Sequence, residues 1–181
     1  METLAKTKWV LDPAHSEVGF KVKHLMISTV TGSFGKFDVQ VSSSKEDFSD
    51  AKIVFTADTA TINTNNEQRD GHLKSGDFFD AEAFPEIRFE STSFERAKGA
   101  DYVLNGNLTI KGVTRPLAIP VEYGGSVRDP WGNTKAAFSI DTRINRKEFG
   151  LTWNAALETG GVVVGDDIRV LAEIQLLESQ S

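Results

Sequence analysis

Apolar and polar residues alternate along most of this chain with a period of two, the pattern of strands that bury one face. Lys8 to Leu11 reads as a short first strand, ended by the turn Asp12-Pro13. In Ser16 to His24, Val18, Phe20, Val22 and His24 share one face, with Glu17, Lys21 and Lys23 on the other. Gly32 to Val41 turns Phe37, Val39 and Val41 inward, and after a polar turn over Ser42 to Asp50 the next strand turns Ile53, Phe55 and Ala57 inward. Ile87, Phe89 and Ser91 alternate in the same way. A hairpin signal at Lys98 to Asp101 leads into Tyr102, Leu104, Gly106, Leu108 and Ile110 on one face. Leu117, Ile119, Val121 and Tyr123 follow, in a strand where Pro116 and Pro120 cannot donate to a ladder and so predict an edge or a bulge. Phe138, Ile140, Thr142 and Ile144 line a further strand, and Ile168 to Leu176 closes the chain.

Three places break the period. Residues 66–76 carry a helical signature, with Arg69, His72, Leu73, Gly76 and Phe79 at offsets of three and four. Thr64 and Glu67 form a capping-box pair, Asn65 and Asn66 are alternative caps, and Gly76 suits the C-cap. Asp70 and Lys74 can pair across one turn. A helical turn is expected near 145–149, and Gly150 to Gly165 reads as an irregular crossing loop. Leu25-Met26-Ile27, three adjacent apolar residues at a strand end, is either a buried corner or an exposed lip, and base rates for apolar residues point to the corner.

About eight antiparallel strands with one apolar face predict an all-β protein, an extended eight-stranded barrel with one short helix across its end or side. At 181 residues the chain is expected to be one domain over 1–181, with an ordered core of about 8–178. A barrel of eight strands can be filled or can hold one small ligand. Small inward residues (Ala57, Ser91, Gly106, Ala172) beside Phe20, Phe37, Phe55 and Phe89 suggest a narrow apolar tunnel. Phenylalanines that simply fill the barrel explain the same pattern equally well.

Composition narrows the chemistry. The absence of cysteine removes disulfides, thiol catalysis and thiolate metal sites. A net charge of −6 argues against nucleic acid, and the cluster Arg143, Arg146, Lys147 reads as a solvated turn. The N-terminal stretch has no apolar run of signal-peptide length, which predicts a cytoplasmic protein; a periplasmic chain trimmed of its leader would read the same. The three histidines match no standard zinc spacing, although His15 or His24 with Asp77 or Asp80 could build a site in space. On a helix Asp70 and His72 point apart, which weakens a catalytic dyad, and Arg69 is expected to anchor the helix by a salt bridge.

Six motifs in one order then point to a family. They are Trp9 to His24, Thr31 to Gly35, Arg69 to Ser91 (RDGHLKSGDFFD with PEIRFES behind it), Gly106 to Val121, Phe138 to Gly150 and Gly165 to Leu176. Over nearly its whole length the chain resembles the YceI-like polyisoprenoid-binding proteins. The resemblance implies a lipocalin-like barrel around a long isoprenoid-tailed amphiphile, such as a polyisoprenoid or isoprenoid quinone, with no catalytic residues or catalytic cofactor. It also implies a homodimer. The expected partners are thus an amphiphilic lipid, a transient membrane contact and a second copy.

On this reading Phe20, Val22, Phe37, Val39 and Phe55 line the lumen, together with Phe89, Leu104, Phe138 and Ile140. Leu73, Phe78 and Phe79 cap or gate it, and His24, Tyr102, Tyr123 and Thr142 are candidates for a polar head. Gly106→Phe is expected to fill the lumen and abolish binding more than it harms folding. An exposed lip at Leu25 to Ile27 would then matter for lipid uptake. Two other readings remain: an enzyme for a hydrophobic isoprenoid-like substrate with His24 or His72 as acid/base, and a structural or stress-related module with a filled barrel.

Overall fold

Strands that bury one face must find partners on both edges, and here they do so by closing a ring. The computed structural model describes residues 6–157 and 161–179. Its strands are β1 (Thr7–Leu11), β2 (Glu17–His24), β3 (Ser28–Phe34), β4 (Phe37–Ser43), β5 (Lys52–Asp58) and β6 (Ile62–Asn63). After the helix α1 (Glu67–Lys74) come β7 (Glu86–Lys98), β8 (Asp101–Ile110), β9 (Val113–Arg128), β10 (Thr134–Asn145) and β11 (Asp167–Glu178). One-turn 3-10 helices lie at Pro13–His15, Thr59–Thr61 and Arg146–Phe149, the last on the turn expected near 145–149.

β1 with β2, β3 with β4, and β5 with β6 behave as three long strands, each broken once. Val10 pairs with Gln40 and Gly19 with Ser33, so one hairpin runs through both breaks. β11 pairs with β1 at one end and with β2 at the other, which closes an eight-stranded antiparallel barrel. β9 pairs with β8 over Val113 to Glu122 but with β10 only from Val121 onward. Pro116 and Pro120 sit in the half of β9 that has no partner on that side, as their missing donors require. The buried Phe149 follows β10, and Glu148 accepts from Arg115 Nε of β9 at 3.2 Å, so the 3-10 turn lies along the open edge.

α1 is shorter than its sequence signature. Asn66 is the N-cap, accepting from Arg69 N–H at 3.0 Å. Thr64 does not form a capping box; its hydroxyl and N–H both donate to the Asp70 carboxylate, at 2.6 and 2.9 Å. Asp70 is therefore held by Thr64 and not by Lys74. The C-cap is Ser75, one residue before Gly76.

The stretch Ser42 to Asp50 is more than a polar turn. Asp50 accepts hydrogen bonds from Ser43 Oγ, Ser44 Oγ and the Ser44 and Lys45 amides, curling the loop under the barrel. These bonds hold the Asp50 carboxyl far below the ordinary carboxylate range. The curl drives Phe48 up into the barrel, with its backbone at φ 61° and its side chain fully enclosed. At the opposite end Leu25, Met26 and Ile27 form no buried corner: they are 37, 61 and 85% exposed.

Candidate functional site

The inward face of the barrel is only partly filled. An apolar cavity of about 670 Å3 runs up its axis. Its floor is Phe48, which meets Trp9, Tyr123 and Phe138 at ring-centroid distances of 5.1, 5.6 and 5.2 Å. Phe94 stacks on Tyr102 beside it, and the Tyr102 hydroxyl donates to the Asp47 carbonyl at 2.8 Å. Burial, with the Asp47 charge adding to it, pushes the Tyr102 hydroxyl above its usual pKa. The space is thus a blind pocket, not a tunnel with two mouths.

The walls above the floor are aliphatic and aromatic: Val39, Phe55, Leu104, Phe138 and Ile140 among them. From Phe138 to Ile144 the β10 wall alone covers about 20 Å of strand. The charged and imidazole groups gather at the upper end, from Lys23 and His24 of β2, Arg69 and His72 of α1 and Arg146 after β10, with Asn66 and Gln68 beside them; Thr142 adds one hydroxyl to the β10 wall. Lys23, Asn66 and Gln68 are both cavity-lining and solvent-exposed, which places the opening between the end of β2 and the start of α1. Arg69 donates from Nε and Nη2 to the Thr64 hydroxyl and carbonyl, both at 2.8 Å, and among the described residues has no carboxylate within ion-pair distance. The expected Arg69 salt bridge is therefore a pair of hydrogen bonds. His72 Nε2 lies 2.9 Å from Asp77 and its ring sits 4.6 Å from the ring of Trp153 and 5.1 Å from that of Phe78.

Trp153 belongs to the crossing segment between β10 and β11, and Arg146 fixes that segment. Its guanidinium, 3% exposed, donates to the carbonyls of Leu151, Trp153, Val164 and Gly165 at 2.6 to 3.2 Å. Burial lowers its pKa and Asp166 works against that, at 3.7 Å from Nη2. A cation with this many backbone acceptors is a structural staple over the barrel end, so the reading of Arg146 as part of a solvated turn is wrong.

The family model for the YceI-like domain matches residues 9–176. The chain belongs to the YceI-like family. It is 42% identical over 175 residues to a UPF0312 protein of Staphylococcus aureus (strain N315), covering 96% of this chain and 99% of that one. The YceI-like barrel also matches the crystal structure of the Campylobacter jejuni YCEI protein, with a TM-score of 0.75 and 31% identity over 99% of this chain and 100% of the other. A polyisoprenoid binding domain from Saccharophagus degradans, implicated in plant cell wall breakdown, shares the fold at a TM-score of 0.68. It is 14% identical, over 94% of this chain and 98% of that one.

Within this YceI-like barrel Phe20, Val22, His24, Val39, Phe55 and Phe89 all reach the cavity wall, as do Leu104, Phe138 and Ile140. Leu73, Phe78 and Phe79 meet it at the upper end. Four of the expected residues do not reach it. Phe37 packs on Phe55 with centroids 6.4 Å apart, outside the cavity lining. Tyr102 lies in the floor and faces a shallow outer depression with Asp47 and Arg96, away from the rim; Tyr123 shares that position. Gly106 is a seat for the Phe89 ring: a Cβ there would lie 2.4 Å from Phe89 Cζ and from the Glu90 carbonyl. Gly106→Phe would therefore break packing before it filled any lumen. Ser91, also expected inward, accepts from the Ile53 amide at 2.8 Å beside the bulge at Ser91/Ser93.

Sequence reasoning missed Phe48, Phe94, Arg146 and Trp153 as cavity residues. Phe94 falls out of phase because of the bulge before it. Phe48 is the one large apolar residue in the Ser42 to Asp50 stretch, which was the available signal. The weighed metal site is not assembled: His15 pairs with Asp12 at 2.8 Å at the floor end, while His72 and Asp77 pair at the rim. Among the described residues no three His, Asp or Glu side chains converge.

Proposed function

We propose that this barrel sequesters or carries one long-chain isoprenoid lipid or similar amphiphile, without chemistry on it. The observation that carries the reading is the blind apolar cavity with its charged side chains gathered at its upper end. Its volume falls within the range of about 300–1,000 Å3 typical of small-molecule sites. The tail would lie along Val39, Phe55, Leu104 and Ile140 with its end against Phe48, and the head beside Arg69, His72 and His24. Arg69 keeps N–H groups beyond those given to Thr64, so it suits a hydrogen-bond-accepting head such as a quinone carbonyl or a phosphate.

Each CH2 removed from water contributes about 0.8 kcal/mol. A long tail is therefore never free in water; it passes from one apolar phase to another. Wall shape and rim contacts would then select the ligand, because the transfer itself is nearly balanced. The polyisoprenoid-binding description of the Saccharophagus domain supports this class of ligand. Catalysis by His24 or His72 has less support: among the described residues no hydroxyl hydrogen-bonds to either ring, and the His72 ring is occupied by Asp77.

The test is denaturing organic extraction of the purified protein followed by mass spectrometry. An isoprenoid lipid near one per chain is expected. Protein that yields no lipid, and that takes up no geranylgeraniol when this isoprenoid alcohol is offered, would end the carrier reading.

A further inference from the structure

The turn that joins β2 to β3 carries a side-chain choice that folding alone does not explain. The His24 carbonyl accepts from Ile27 N–H at 3.3 Å, and Leu25 and Met26 between them have φ 54° and 63°. Two positive φ angles at the centre define the tight hairpin turn that favours Asn-Gly, where bulky residues are strained. This chain places Leu and Met there and follows them with Ile27, 85% exposed. Val162 of the crossing segment, 38% exposed, extends the same apolar patch. Leu25 N–H bonds to the Val163 carbonyl at 2.8 Å, tying the two parts together.

The patch is continuous with the cavity. Lys23, His24, Val163 and Val164, the chain neighbours of the patch on both sides, are cavity-lining residues. The exposed Lys23 stands beside it and, among the described residues, has no carboxylate within ion-pair distance. An apolar tip next to a free ammonium is the composition of an element that enters the head-group layer of a bilayer, with the ammonium left at the phosphates.

We propose that the turn Leu25-Met26-Ile27, with Val162 and Lys23, docks the barrel opening onto a lipid bilayer. The proposal deepens the carrier reading and rests on it, since a tail that avoids water needs the opening set against the membrane. Trp131 and Val127, 83 and 66% exposed, lie at the opposite, floor end, where contact gives no access to the cavity.

The chain has no cysteine, so single labels can be placed cleanly. Ile27→Cys and Trp131→Cys would each carry an environment-sensitive dye and be mixed with phosphatidylcholine vesicles. A blue shift at position 27 and none at 131 is expected. In Met26→Ser/Ile27→Ser, co-sedimentation with the vesicles should fall about tenfold or more, with equilibrium uptake of geranylgeraniol from solution unchanged. A label at 27 that stays in water, or a stronger response at 131, overturns the docking proposal. So does a double variant that keeps full vesicle affinity, or one that only converts a dimer to a monomer by light scattering. Failure of the carrier reading looks different: no geranylgeraniol uptake by the unaltered protein, with vesicle binding through position 27 intact.

Discussion

The Phe48 ring meets the Phe138 ring edge-on, with 5.2 Å between centroids and 89° between planes. One ring comes from a loop and the other from a barrel strand, so the loop supplies the stopper for a lumen that the strands leave open. Phe48→Ala should cost about 3 kcal/mol, the lower end for a buried phenylalanine, because one side of the ring already borders empty space. Urea denaturation reads that loss.

Asp50 sets the pH dependence of the same loop. Hydrogen bonds from Ser44 and Ser43 hold its carboxyl well below an ordinary aspartate in the folded chain. The unfolded chain, with a carboxyl near pH 3.9, takes up protons first, so the stabilisation is full above about pH 5. It is lost as the pH falls below about 4 and on through the folded value. Asp50→Asn should melt below the unaltered protein at neutral pH, with the gap narrowing as the pH is taken down. A gap that stays constant into acid would show that Asp50 does not act through its charge.

The position that tests the lumen is Thr142, not Gly106. Thr142 lines the cavity and is only half-buried, so its free surface faces the hollow. Thr142→Phe should strongly reduce lipid content in an organic extract while changing stability by about 1 kcal/mol or less. Gly106→Ala should do the reverse, costing about 1–3 kcal/mol by displacing Phe89 or parting β7 from β8.

Arg146→Met removes the donor to four backbone carbonyls. A loss of about 3 kcal/mol or more in urea denaturation is expected, with faster amide exchange at Leu25 and Val163, whose hydrogen bonds secure the crossing segment. Arg146→Lys should not restore stability, because one ammonium cannot reach the four acceptors together.

The barrel was legible because alternation survives over most of the strand residues: Val18, Phe20 and Val22 on β2, or Phe138, Ile140 and Ile144 on β10, face inward as their spacing requires. What escaped the pattern depended on pairings far apart in sequence. Phe48 looks like an accident in a polar turn until Asp50 curls that turn beneath the barrel. Arg146 stands near Arg143, Lys147 and Glu148 and reads as solvated; only the carbonyls of Leu151, Trp153, Val164 and Gly165, brought back over it by the fold, enclose it. Gly106 in the sequence suggests empty space, but a small residue on a barrel wall can equally be the footprint of a neighbouring ring, here Phe89, and Gly32 under Phe20 repeats the arrangement. Leu25 to Ile27 departed from expectation in the other direction, since base rates for apolar residues describe cores and not the rims of cavities.

The aromatic stopper has a consequence for traffic. On the proposed carrier reading, a chain-like guest would travel along the barrel axis in one sense only and reverse that path to depart. With its head at the rim, its terminal methyls would go in first and come out last, so whichever surface receives it would meet the polar end before the greasy one. Loading and delivery would then share a single doorway and could not overlap in time.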